Sequence, residues 1–92
     1  MAYLTQQQLE QLHFKYLGKN VKISDKASIY NAKNIHLDDN CRIDDFCILS
    51  AGFGGIYIGK YVHIAAYSSL IGAESITLAD FSGYIFTSFN LF

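Results

Sequence analysis

Ninety-two residues make one small domain, which buries only a modest share of its surface unless it repeats or associates. The chain is 51% hydrophobic and 16% charged, and seven Tyr and seven Phe supply all its aromatics, a composition that excludes intrinsic disorder. A net charge of −1 leaves no electrostatic footprint for nucleic acid or an anionic membrane, and no apolar run approaches the roughly 20 residues that cross a bilayer. Nucleic acid and membrane are therefore not expected as partners. Because Gln6, Gln7 and Gln8 break any secretory signal pattern, a cytoplasmic location is expected.

The first predicted element is a helix. Thr5 is placed as its N-cap, Gln8 completes a capping box, and Leu4 faces Leu9 as a hydrophobic staple. Leu9, Leu12 and Tyr16 carry an apolar stripe at helical spacing, and Gly18 reads as a stop. One amphipathic helix over residues 5–17 is predicted, within an N-terminal segment 1–17.

From residue 18 to residue 92 the period changes to six. Leu17, Val21, Ile23, Ala27 and Ile29 form one set, and Leu37, Cys41, Ile43, Cys47 and Leu49 the next. Ile58, Val62, Ile64, Ser68 and Leu70 repeat the spacing, and Leu78, Ser82 and Tyr84 begin a fourth set. Each hexad has a large residue at its first position and a small one at its fifth. The sets start at Leu17, Leu37, Ile58 and Leu78, so a full coil takes 20 or 21 residues: three hexads and a corner. That arithmetic predicts an all-β solenoid, a triangular parallel β-helix of about four coils stacked roughly 4.8 Å apart, with positions one and five pointing inward.

Two inward columns follow: Val21, Cys41, Val62 and Ser82, then Ala27, Cys47, Ser68 and Ser88. Both cysteines fall in columns of small side chains, so core packing accounts for them better than reactivity, which needs exposure and a cationic neighbour. The run Ala51-Gly52-Phe53-Gly54-Gly55 lies where the second coil closes. It continues as Ile56-Tyr57-Ile58 rather than a helix, so it reads as a corner and not as a phosphate-cradling loop.

The hexads Leu37–Arg42, Ile58–His63 and Ile64–Ser69 resemble the repeats of the hexapeptide acyltransferases, and the stretch Ile58–Asp80 is most similar to bacterial sugar O-acetyltransferases. The resemblance covers residues 17–84. It implies a left-handed coil, since parallel crossovers are otherwise right-handed. It also implies a homotrimer with clefts between prisms, acetyl-CoA as donor, a sugar hydroxyl as acceptor and a histidine as general base. A lone prism of this length would expose three broad faces and an unfinished end, so a trimer or a dimer of trimers is expected.

His63 is the one histidine nominated as that catalytic base. It occupies position six of its hexad and is expected to project outward above Arg42 and Lys22, a basic column that either lines a cleft and holds an anionic ligand group or stands as a solvated ladder whose charge Asp38, Asp44 and Asp45 offset. His13 is assigned to the helix and His36 to a corner. A zinc site of the kind found in another branch of the same fold needs two histidines about five residues apart. Here successive histidines are 23 and 27 apart, so no metal is expected. Thr5, Thr77 and Thr87 form no column, which excludes an ice-binding surface.

Family members continue for several more coils, whereas the ending from Gly83 to Phe92 keeps little of the hexad rule and reads as divergent or truncated. The alternative to an acetyltransferase is therefore a non-catalytic self-association module. An unfinished fourth coil would then place Phe86, Phe89, Leu91 and Phe92 at an open end.

Overall fold

A computed structural model describes residues 2–85 and 88–91 of the chain. The helix α1 spans Gln6–Gln11 and is followed by four coils of three strands each. The first coil holds β1 (Tyr16–Leu17), β2 (Lys22–Ile23) and β3 (Ser28–Tyr30); the second holds β4 (Ile35–Leu37), β5 (Arg42–Ile43) and β6 (Ile48–Ala51). The third holds β7 (Ile56–Ile58), β8 (His63–Ile64) and β9 (Ser69–Gly72), and the fourth β10 (Ile76–Leu78), β11 (Tyr84–Ile85) and β12 (Ser88–Leu91). Strands stack by coil into three parallel sheets ordered β1-β4-β7-β10, β2-β5-β8-β11 and β3-β6-β9-β12. The β-helix expected from the hexads is therefore present. Its fourth coil carries all three strands rather than stopping short.

Register follows the 20- or 21-residue repeat: Leu17 pairs with Leu37, Leu37 with Ile58, and Ile58 with Leu78. Leu37, Ile43, Leu49, Ile58, Ile64 and Leu70, the first residues of their hexads, are all completely buried. Each such side chain contributes about 1.5–3 kcal/mol relative to exposure. Val21, Cys41 and Val62 are buried as their column requires, and so are Cys47 and Ser68. Ser82 departs from its column and is exposed. Ile35, Ile56 and Ile76 form a further buried column. Phe86 and Phe92, and the side chains of Ser88, Phe89 and Leu91, lie outside the described residues, and with them the expectations attached to those positions.

The helix is shorter than its apolar stripe predicts. Its capping box forms, with the Thr5 side chain accepting from the Gln8 amide and the Gln8 side chain from the Thr5 amide, and Leu9 is buried. It then ends at Gln11, with His13 in the left-handed region at φ 58°. Coil stacking outcompetes the last helical turn: the Lys15 and Gly18 amides donate to Ile35 and Leu37 carbonyls at 3.0 and 2.8 Å, which draws Tyr16 and Leu17 into β1. Gly18 is thus not a helix stop. A Cβ there would lie 2.5 Å from the Asp39 carboxylate, which accepts the Lys19 amide, and Gly59 meets Asp80 in the same way one coil pair later.

The segment before the helix closes the first coil. The Leu4 amide donates to the Ile23 carbonyl, the Asp25 amide donates to Ala2, and Tyr3 bridges Ser24 in antiparallel sense. An exposed parallel edge is thereby covered at this end of the prism.

Both cysteines are free and buried. Burial pushes the Cys41 thiol up to about 12 and raises that of Cys47, whose Sγ lies 3.0 Å from the Ala65 carbonyl. Neither thiol should react with iodoacetamide in the native protein at pH 8, and both should react in denaturant. Mass spectrometry reads the outcome, and stoichiometric native alkylation would contradict the packing role.

Candidate active site

The sheet β2-β5-β8-β11 presents the basic column outward. Lys22 pairs with Arg42 and Arg42 with His63, so the three side chains stack coil on coil as their spacing predicts. Like charges held directly side by side repel, and the column needs a compensating group.

That group is Asp44, two residues beyond Arg42 and therefore on the same face of the strand. Its Oδ1 accepts from Arg42 Nε at 2.8 Å and its Oδ2 lies 2.7 Å from His63 Nε2, while its side chain is only 6% exposed. Burial works to raise the Asp44 pKa, but the hydrogen bonds from His63 and Arg42 outweigh it and hold the carboxyl below the ordinary aspartate value. With Nε2 donating to the carboxylate, the lone pair of a neutral His63 resides on Nδ1. This is the arrangement by which a carboxylate fixes the tautomer and orientation of a general base. The His63 side chain keeps 24% of its surface exposed, so the ring edge reaches solvent.

Asp38 and Asp45, expected near the column, serve elsewhere. Asp45 accepts the Ser24 hydroxyl, and Asp38 accepts from the Tyr57 hydroxyl at 3.4 Å on the neighbouring sheet. Lys22 and Arg42 instead share the ring of Tyr3, at 5.7 and 5.9 Å from its centroid. Tyr3 carried no signal at the level of sequence, because its position over the column depends on the N-terminal bridge to Ser24.

His36 is not a corner residue. It lies in the middle of β4, sandwiched between Tyr16 and Tyr57 with ring centroids 4.5 and 4.2 Å away. His13, just past α1, is exposed and belongs to neither cluster.

The comparisons agree with this scaffold. No family model matches the chain. Over 82 residues it is 56% identical to the dTDP-4-amino-4,6-dideoxy-D-glucose acyltransferase of Escherichia coli, which covers 89% of this chain and 43% of that protein. The relatives are acyltransferases. The crystal structure of AntD, an N-acyltransferase from Bacillus cereus, in complex with dTDP and 3-hydroxybutyryl-CoA matches with a TM-score of 0.81 at 49% identity, covering 88% of this chain and 42% of that one. A serine-to-threonine variant of AntD in complex with dTDP and coenzyme A matches with a TM-score of 0.83 at 47% identity, over 97% of this chain and 46% of that one. The chain thus spans less than half the length of these relatives.

Asp44 gives the site a pH signature. A carboxyl whose pKa is depressed on folding stabilises the native state above the unfolded value near 3.9, and that stabilisation is lost as pH falls through the folded value. Asp44→Asn should therefore lower Tm at pH 7, with a gap to the parent that narrows as pH falls below about 4. Thermal melts from pH 7 to pH 2 check this, and a gap that stays constant would contradict it.

Proposed function

We propose that this chain is part of, or acts as, an acyltransferase that moves an acyl group from a coenzyme A thioester to the amino group of a dTDP-linked amino sugar. The observation carrying this reading is the 56% identity, over 89% of the chain, to an acyltransferase named for such a sugar nucleotide. Support comes from the solenoid likeness to AntD, whose structures hold dTDP with 3-hydroxybutyryl-CoA or coenzyme A. O-acetyl transfer to a sugar hydroxyl, implied by the resemblance to sugar O-acetyltransferases, gives way to N-acyl transfer, and acetyl-CoA to an acyl-CoA donor.

In this reading His63 Nδ1 takes the proton that the acceptor nitrogen loses as it attacks the thioester carbonyl. The C–N bond forms, the C–S bond breaks, and the departing thiolate ends protonated. Asp44 holds Nε2 and balances the developing imidazolium, while Arg42 keeps Asp44 ionised. Lys22 and Arg42 are the ligand-binding cations. An amine acceptor asks less of its base than a hydroxyl, since its ammonium form loses a proton far more readily than a hydroxyl does.

The test is turnover of an acyl-CoA and dTDP-4-amino-4,6-dideoxyglucose by the purified chain, read as thiol release and as acylated sugar nucleotide by mass spectrometry. His63→Gln should lower kcat by about a hundredfold or more with little change in KM. If calorimetry shows no heat with coenzyme A or with dTDP, the enzyme reading falls. A non-catalytic self-association module is then left.

We further propose that the chain assembles as a homotrimer or a dimer of trimers. Support comes from the exposed aromatic side chains Tyr30, Phe46, Phe53, Tyr67 and Phe81 around the prism, which neighbouring copies would cover. Sedimentation at micromolar concentration should give three or six copies, and a stable monomer would contradict it.

A further inference from the structure

One corner of the prism takes the left-handed backbone conformation in every coil: Asn20, Asn40, Tyr61 and Phe81 have φ of 57°, 62°, 58° and 59°. Asparagine adopts this region more readily than other residues with a side chain, whereas a bulky aromatic there is an outlier. The column therefore changes, between the second and third coils, from two short amides to two large rings held at a conformational cost. Such outliers persist where the side chain serves a purpose.

The rings make a ledge. Phe81 stacks on one face of Tyr61 with centroids 5.3 Å and planes 13° apart, while the side of Tyr61 toward the second coil overhangs the shorter Asn40. Beneath the ledge lies a notch of about 370 Å³ lined by Asn20, Lys22, Asn40, Cys41, Arg42 and Tyr61. Its volume falls within the range of small-molecule sites. Cys41 is buried, so the notch offers a ring, two amides and two cations. Lys22 makes no ion pair among the described residues, and its ammonium rests over Tyr3. Tyr61 is 56% exposed, so its ring is open to a ligand.

We propose that this notch binds the nucleoside diphosphate portion of a substrate. The base stacks against Tyr61, the Asn40 and Asn20 amides meet its polar edge, and the phosphates lie along Lys22 and Arg42. A ring beside paired cations and amides fits that chemistry, because any nucleobase offers a π-face and phosphate oxygens take charge-assisted hydrogen bonds. The proposal rests on the acyltransferase reading. In that reading both substrates carry a nucleoside diphosphate, dTDP in the acceptor and an adenosine diphosphate in coenzyme A.

Calorimetric titration of dTDP and of coenzyme A into the parent chain, Tyr61→Asn, Tyr61→Phe and Lys22→Gln tests it and separates the two sources. Tyr61→Asn installs the residue already used at Asn20 and Asn40, so its Tm should match or exceed the parent's. Tyr61→Asn and Lys22→Gln should each weaken one nucleotide by roughly tenfold or more and leave the other within about twofold, and Tyr61→Phe should bind like the parent. The nucleotide that is lost names the substrate the notch holds. Undiminished binding of both nucleotides by Tyr61→Asn and Lys22→Gln overturns the notch and leaves the acyltransferase reading standing. A parent chain that binds neither nucleotide overturns both.

Discussion

The structure depends on the hydrogen-bonded register between coils. Amides of one coil donate to carbonyls of the next along the whole prism: Lys22 to Cys41, Arg42 to Val62, and His63 to Gly83, at 2.9 to 3.0 Å. Because strands are parallel and corners are short, strand residues stack on the residues 19 to 21 positions away in the neighbouring coils. In the interior this is harmless, since Leu37 between Leu17 and Ile58 meets its own kind. On the surface the same rule forces Lys22 under Arg42 and Arg42 under His63.

Asp44 shows how that conflict becomes a site. A buried carboxylate without partners would be costly, and a stack of cations without a carboxylate would repel. Together they satisfy one another, with Arg42 and His63 each holding one oxygen of Asp44. Charge-assisted hydrogen bonds of this kind are roughly twice as strong as neutral ones. Arg42 and His63 sit on β5 and β8, and Asp44 directly follows β5 with its amide donating to the Ile64 carbonyl at 3.0 Å, so the imidazole is oriented before any ligand arrives.

Much of this was legible in the chain, and the parts that were not share a cause. The hexads gave the coils, the inward columns and the stacking of Lys22, Arg42 and His63, because all three depend only on period. Asp44 was visible as a nearby charge but not as the hinge of the cluster. Its role needs the two-residue spacing from Arg42 and the coil offset to His63 to be combined. Leu12 and Tyr16 keep a helical stripe that overstates the helix, because the competing bonds from Lys15 and Gly18 to the second coil are non-local. The column of Ile35, Ile56 and Ile76, and with it the strand position of His36, is hidden in the sequence because the corners interrupt the hexad count there.

The corners follow from the register as well. The amides of Asn40, Tyr61 and Phe81 donate to Lys19, Asp39 and Lys60 in the coil below, at 2.8, 3.1 and 2.7 Å, and those of Phe46 and Tyr67 donate likewise to Lys26 and Asp45. These bonds hold the left-handed conformation whatever side chain occupies the position, so an aromatic there carries a strain of about 1–3 kcal/mol that the ladder must absorb. Ring stacking returns about 0.5–1.5 kcal/mol per pair. That is why the aromatics at these corners come as neighbours in adjacent coils, Tyr61 with Phe81 and Phe46 with Tyr67, rather than singly. Two strained residues share one stack, and the shortfall falls on the same hydrogen-bond ladder that aligns the basic column.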